Sequence, residues 1–246
     1  MIRSKRGLLL AAVLTFSVAV AAMFPARIAY RWTAPPDLAV SGITGTVWFG
    51  AAAAVSVRGL YLHDVRWRIK PLRFFTAKAA YQVTATPTSG FAEGVVALGF
   101  GGTVTVSDLV ASVSLPALAD ILNIRGLDGS ASLQFERIRL RDGLPTAAVG
   151  SVQVDNLVAP LLSRESIGGY RAEFSSNDGG ISASVEDVDG VVDLAGSFQL
   201  SDDRSYEFLG QVVAKPETPA TLQRQMQYLG PANERGQREL RLEGSL

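Results

Sequence analysis

Few residues in this 246-residue chain are of types that could carry chemistry. There is one histidine, His63, and there is no cysteine. The missing thiols exclude disulfides, thiolate metal sites and a cysteine nucleophile together. A single imidazole removes most histidine-based acid–base chemistry as well. His63-Asp64 looks like half a catalytic dyad, but neighbours on a strand point to opposite faces and cannot easily meet. No Gly-x-Ser-x-Gly elbow is present. Asp187, Asp189, Asp202 and Asp203 sit among turn formers, and turn chemistry accounts for them; a Ca²⁺ site would need oxygens converging from elsewhere. Gly45 and Gly50 could cradle a phosphate only if a helix N-terminus followed, usually with a lysine. Here a strand pattern follows, so backbone geometry or close approach to an indole ring is the simpler role. One cluster is left. Arg66, Arg68 and Lys70 alternate with Val65, Trp67 and Ile69 and should share one strand face. A solvated polar face would account for them. So would a basic row meeting anionic lipid head groups or an acidic partner, where each charge is worth ~1 kcal/mol near an anionic surface. The sequence thus points to a non-enzymatic protein with no catalytic residue, no cofactor and no metal.

Lys+Arg and Asp+Glu both number 23, giving a formal net charge of zero. No global basic field exists to hold nucleic acid. Hydrophobic residues make up 48%, enough for a substantial core.

The elements that would position these residues begin with an apolar run. Arg3, Lys5 and Arg6 lie in a basic segment, 1–6, followed by an uncharged stretch, 7–24. Eighteen helical residues cover ~27 Å at ~1.5 Å each, just enough for a bilayer core of ~30 Å. The basic cluster should stay cytoplasmic, which exports the remainder. The expectation is a transmembrane anchor at 7–24, a periplasmic linker at 25–37 and a periplasmic β-rich domain at 38–246. Tyr30, Trp32, Arg27 and Arg31 would form an interfacial belt. A cleaved signal peptide is the alternative, with Ala19-Val20-Ala21 as a small-x-small site inside the apolar run.

From residue 38 onward period-2 alternation dominates, as in Val55/Val57, Val65/Trp67/Ile69, Val104/Val106 and Phe198/Leu200. Leu133 and Phe135 share one parity, Ile138 and Leu140 the other, so a bulge or turn is expected near Glu136-Arg137. Asp128-Gly129, Asp142-Gly143, Asn177 to Gly180, Asp189-Gly190 and Ser201-Asp202-Asp203 read as turns. The pattern predicts an antiparallel meander with one wet face. Two short helices interrupt it. One starts at Ser114-Leu115-Pro116, with the serine as cap. The other is opened by Thr218-Pro219, carries Leu222, Met226 and Leu229 on one face, and stops at Gly230.

Gly45-Thr46-Val47-Trp48-Phe49-Gly50, followed by Ala53, resembles the GTVW-x-G-x-A signature of the type II secretion system protein N family. Trp67-Arg68-Ile69-Lys70-Pro71-Leu72 is similar to a second family segment. Ile167-Gly168-Gly169-Tyr170, Gly196 to Leu200, Leu229-Gly230 and Leu242 to Leu246 follow the family layout. Gly45, Thr46, Val47, Trp48, Gly50, Trp67 and Pro71 are therefore the motif positions, expected to be structural, with core packing the simplest role for the tryptophans. Phe49, Ala77 and Val154 depart from the pattern. The resemblance implies an uncleaved inner-membrane anchor and an accessory role in moving folded proteins out of the periplasm, with other secretion components as partners. It also implies kinship with the AsmA-like group and hence an elongated, twisted, groove-shaped antiparallel sheet. A lipid-binding or lipid-transfer groove is the alternative function that this kinship suggests.

Overall fold

The computed structural model describes residues 2–33, 38–57, 59–71, 79–119, 125–160, 163–177 and 180–245, without the side chains of 2–6 and of Phe100. Two helices, α1 (Ile2–Ala22) and α2 (Ala26–Thr33), precede the strands β1 (Leu38–Ser41), β2 (Thr44–Gly45), β3 (Phe49–Val57), β4 (Leu60–Ile69), β5 (Ala79–Pro87), β6 (Gly90–Leu98) and β7 (Thr103–Ser114). There follow β8 (Asp128–Arg141), β9 (Leu144–Val158), β10 (Tyr170–Asn177), β11 (Gly180–Asp187), β12 (Val192–Leu200), β13 (Ser205–Ala214), α3 (Ala220–Met226) and β14 (Arg238–Ser245). The described strands form one sheet in the order β1-β3-β4 and onward to β14, with β2 on the outer side of β3. Each pairing is antiparallel. The protein is mainly β, an open antiparallel meander as the alternation and Asx-Gly turns required.

The two faces differ sharply in chemistry. Leu109, Phe135, Gly150, Phe174, Ala183, Phe198, Phe208 and Leu242 stand directly opposite one another from β7 to β14. The parallel row on the other face reads Val110, Gln134, Ser151, Glu173, Ser184, Ser197, Leu209 and Arg241. Cross-strand neighbours lie only ~5 Å apart, so each row is a continuous strip of contact. The apolar strip is buried at Phe135, Ala148, Ile181 and Leu200, with Leu133, Ile138, Val152 and Phe174 packed on them. No second sheet covers it among the described residues. Packing among these side chains, which come from β8, β9, β11 and β12, supplies the burial.

The bulges bend the sheet. Within β8, burial falls on Ala131, Leu133 and Phe135, then shifts parity to Ile138 and Leu140. The register slips between Phe135 and Arg137, where the sequence pattern placed the break. Opposite it, β7 carries Asp108 at φ 52, and the β6–β7 register slips between Glu93 and Val95. A bulge lets one face keep its apolar side chains while the strand turns and twists. Asp128-Gly129, expected as a turn, instead lies inside β8 at another slip, with Gly129 at φ 121. Asp142-Gly143 is a true two-residue hairpin turn, with φ of 53 and 80.

Two sequence expectations need correction. The linker expected at 25–37 contains α2, which packs on the sheet through Ala26 and Tyr30. The helix expected from Ser114 is a 3₁₀ turn, Leu115–Leu118, without a side-chain cap from Ser114. Its expected continuation to Leu122 runs into 120–124, outside the described residues. The anchor expected at 7–24 falls on α1, where Leu8, Leu10, Leu14 and Phe16 are exposed. Among the described residues, however, no helix is long and apolar enough to cross a membrane.

At the far end of the sheet α3 drops Leu222 and Met226 onto Ile167, Val192 and Val212. The Thr218 hydroxyl donates to the Val191 carbonyl. Gly230 follows at φ 104. The helix partly roofs an apolar cavity of about 310 Å³ lined by Leu157, Tyr170, Leu194 and Leu240 among others. Ile167-Gly168-Gly169-Tyr170 closes the same end. Any side chain at Gly168 would strike the Asp189 carbonyl and Gly190, and the Tyr170 hydroxyl donates back to the Ile167 carbonyl at 3.1 Å. Burial, then the charges of Asp187 and Asp189, push the Tyr170 pKa up to about 12.

Lys215 Nζ reaches Asp187 Oδ2 at 2.5 Å, with the two side chains 28% and 12% exposed. Burial works to raise the Asp187 pKa. The Lys215 hydrogen bond, the Leu194 N–H and the lysine charge outweigh it, and the net shift is downward. Lys215 shifts upward, chiefly through its hydrogen bond to Asp187. The carboxylate's contribution is therefore present above the unfolded value of ~3.9 and lost as pH falls through its lower folded value. The lysine's contribution is present below ~10.4 and lost as pH rises through its higher folded value. Lys215→Met should cost about 1–2 kcal/mol at neutral pH, scaled down from a fully buried pair for partial exposure. Urea unfolding should show that difference shrinking once Asp187 protonates; a difference unchanged down to pH ~2 would refute the assignment.

Candidate functional site

The motif residues come together where the helices meet the sheet. Gly45, at φ 84, turns the chain so closely that a Cβ would lie 2.6 Å from the Phe49 carbonyl oxygen. Thr46 then organises the β2–β3 turn. Its hydroxyl accepts the N–H groups of Trp48 and Phe49, both at 3.3 Å, and its own N–H donates to the Phe49 carbonyl at 2.9 Å. The turn presents Val47 and Trp48 to the helices. The Val47 N–H donates to the Phe24 carbonyl at 3.0 Å, and Pro25 bridges to Thr46. The Trp48 indole N–H donates to the Ala21 carbonyl at 2.7 Å. That carbonyl lies in the last turn of α1, where helix geometry leaves acceptors without intrahelical partners.

Trp67 locks the turn from the other side. It faces Gly50 across β3 and β4, and a Cβ on Gly50 would be 2.5 Å from the indole Cζ2. Its own indole N–H donates to the Thr46 carbonyl at 3.1 Å. The ring joins Val40, Val55, Val65 and Tyr30 around buried Ala26, Ile43 and Ala52. Core packing thus describes Trp67 well. Trp48 is half-buried and bonded to a helix end rather than sunk in the core. Pro71 is exposed just beyond β4, and Leu72 and Ala77 lie outside the described residues.

Further bonds extend the joint along α2. Arg27 Nη2 donates to the Ile43 carbonyl at 3.2 Å. The Tyr30 hydroxyl donates to the Leu38 carbonyl at 2.8 Å and accepts the Val40 N–H at 3.1 Å. The sequence places these two residues in an interfacial belt. The belt description suits the outer side of α2 better, where Ile28 and Trp32 are 39% and 75% exposed. The Ala26/Ala29/Tyr30 spacing was the signal that α2 has a sheet-facing side.

Arg66 and Arg68 do share a face, opposite Trp67, and are exposed; Lys70 is half-buried. Phe49, 61% exposed, stands directly across from Arg68. His63 and Asp64 are both exposed, because Asp64 sits at φ 47 in a bulge that breaks the alternation. Among the described residues no group of three or more His, Asp or Glu could hold a metal ion. A second basic row, Arg137, Arg139 and Arg141 on β8, was not picked out from the sequence. Its signal was there in the alternation with Ile138 and Leu140.

A family model described as "Type II secretion system (T2SS), protein N" matches residues 36–241, including the whole motif turn. The chain belongs to the type II secretion system protein N family. It is 24% identical over 243 residues to "Type II secretion system protein N" of Pectobacterium carotovorum subsp. carotovorum, covering 96% of this chain and 95% of that protein. The Aeromonas hydrophila protein of the same name is 24% identical over 227 residues, covering 86% of each chain. No solved structure matches. The family model begins beyond α2, so it takes in the sheet half of the joint but not the helices. The Pectobacterium relative aligns over almost the full length.

Two substitutions should separate the halves of this joint. Trp48→Phe removes one hydrogen bond worth about 1 kcal/mol. It should speed amide exchange at Val47, whose partner is on the helix side, and leave β4–β14 unchanged. Gly50→Ala forces a methyl against the Trp67 ring and the Thr44 carbonyl, both 2.5 Å away. It should lower stability by about 1–3 kcal/mol, read as a fall in Tm. An unchanged Val47 exchange rate in the first variant, or an unchanged Tm in the second, would remove the roles assigned here.

Proposed function

We propose that this protein is a non-enzymatic component of type II secretion, held at the bacterial inner membrane by α1, with its sheet in the periplasm. In this reading 1–6 is cytoplasmic, 7–24 is the anchor and 38–246 is the periplasmic body. The 25–37 segment, which contains α2, couples the two. It assists the export of folded proteins across the outer membrane through contacts with other secretion components. The observation that carries this is the joint. Gly45 to Gly50 and Trp67, inside the segment the family model matches, build a turn that grips the end of a helix with exposed apolar side chains. A sheet that merely had to fold would have no use for Trp48 at that helix end. Arg66, Arg68 and Lys70 are candidate contacts for an anionic surface.

A lipid-carrying groove in envelope maintenance is the second reading, and the apolar face of the sheet is the observation behind it. Family membership favours secretion over it.

The test is deletion in a strain with a measurable type II substrate, complemented with two forms of the gene. Deletion should leave the substrate in the periplasm. The full chain should restore export, and a body released behind a cleavable signal peptide should restore it poorly. Normal export after deletion would overturn a required role, and full rescue by the released body would overturn the need for a tether.

A further inference from the structure

The two basic rows lie on one face of the sheet and at one end of it, beside the helix joint. The Ile69 N–H donates to the Trp48 carbonyl at 2.7 Å, which puts Arg68 and Lys70 directly next to the turn that holds α1. Across the sheet Arg68 leads through Gln82, Val95 and Ser107 to Arg137. Lys70, whose N–H donates to the Ala80 carbonyl, leads through Ala80, Ala97 and Thr105 to Arg139. Four strand spacings of ~4.8 Å separate the rows by about 19 Å. Between them Ala80, Val95 and Ala97 are buried, and Glu93 stands two strands from Arg66 through Thr84. The acids nearby are Asp64, two residues before Arg66, Glu93, which accepts from Gln82 at 2.8 Å, Asp108 and Glu136 at the β7–β8 bulge, and Asp142 and Asp202, which line a cavity with Arg139 and Arg141. Arg66, Arg68, Arg137, Arg139 and Arg141 are exposed, and none of the six cations forms an ion pair among the described residues. A chain of zero net charge has thus gathered six cations, without an ion pair among the described residues, at the end where its apolar helix leaves.

We propose that this end of the sheet lies on the membrane surface, with Arg137, Arg139 and Arg141 joining Arg66, Arg68 and Lys70 in contact with anionic phospholipid head groups. This rests on the reading of α1 as the anchor. A tether docked beside the rows brings them within about a Debye length (~8 Å at physiological ionic strength) of the bilayer, where cations feel its negative potential. The row on β8 turns a flexible attachment into a fixed orientation, because two contacts about 19 Å apart resist rocking where one would not.

The full chain has no cysteine, so a single Thr146→Cys, beside Arg139 at the hairpin, can carry a donor dye. Energy transfer to acceptor-labelled head groups is then compared in phosphatidylcholine vesicles and in phosphatidylcholine–phosphatidylglycerol vesicles. Transfer should be higher in the anionic vesicles. That gain should vanish in Arg137→Glu/Arg139→Glu/Arg141→Glu, fall in the neutral Arg137→Gln/Arg139→Gln/Arg141→Gln, and vanish for the unaltered chain in ~1 M salt, where the Debye length is ~3 Å. Flotation with phosphatidylcholine vesicles should be the same for all of them, because it reads α1. Equal transfer in the two lipids, or a gain that survives both charge reversal and salt, overturns the proposal. So does loss of export in the reversal variant with transfer unchanged, which would assign the rows to an acidic protein. A chain that does not float with neutral vesicles overturns the anchor reading itself, and the orientation with it.

Discussion

A single sheet with one apolar face has to keep that face from water, and among the described residues no second sheet is laid over it. The strip from Leu109 to Leu242 is covered as far as its own side chains pack together. That requirement accounts for much else in the structure. Extended strands resist bending, and bulges relieve them at Asp64, Asp108, Glu136 and Asn156. Bending also crowds side chains on the inner face. Glycines make room for the large rings there: Gly150 lies against Phe135, Gly196 and Gly210 against Phe208, and Gly244 against Tyr206.

The same device was put to a second use in the motif. Gly50 under Trp67 is one more glycine–aromatic pair, but its ring also donates a hydrogen bond to Thr46 and so fixes a turn. The turn in turn holds a helix. A packing rule that serves the whole sheet thereby becomes, at one end, an attachment.

Much of this was legible in the residues. Alternation placed the strands, and the parity change between Phe135 and Ile138 located a bulge to within a residue. Asx-Gly pairs located most turns, though Asp128-Gly129 shows the limit: the same dipeptide serves an in-strand bulge as readily as a hairpin. The short helix from Thr218 was readable because Leu222 and Met226 are spaced for one face. The helix after Pro25 was not read, because eight residues give too few turns for periodicity to stand out beside an apolar run. The role of Trp48 was also invisible. Tryptophan in a strand-rich sequence looks like core, and only the position of a helix end in space shows what its N–H is for. The β8 arginines were overlooked for a related reason: alternating charges on a strand look like a wetted face until a second row is found beside them.

The strand order itself has a further consequence. From β3 onward every strand pairs with the one before it, and no described connection leaves the sheet to return elsewhere. A chain that emerges from its amino end can therefore add each strand to a finished template, never waiting for a partner not yet made. The joint between Ala21 and Trp48 spans only 27 residues and can form before the sheet exists. Assembly would then run outward from the helix end like a tape laid from a fixed point. Each new strand stands briefly as an unpaired edge, and β14 is the last of them.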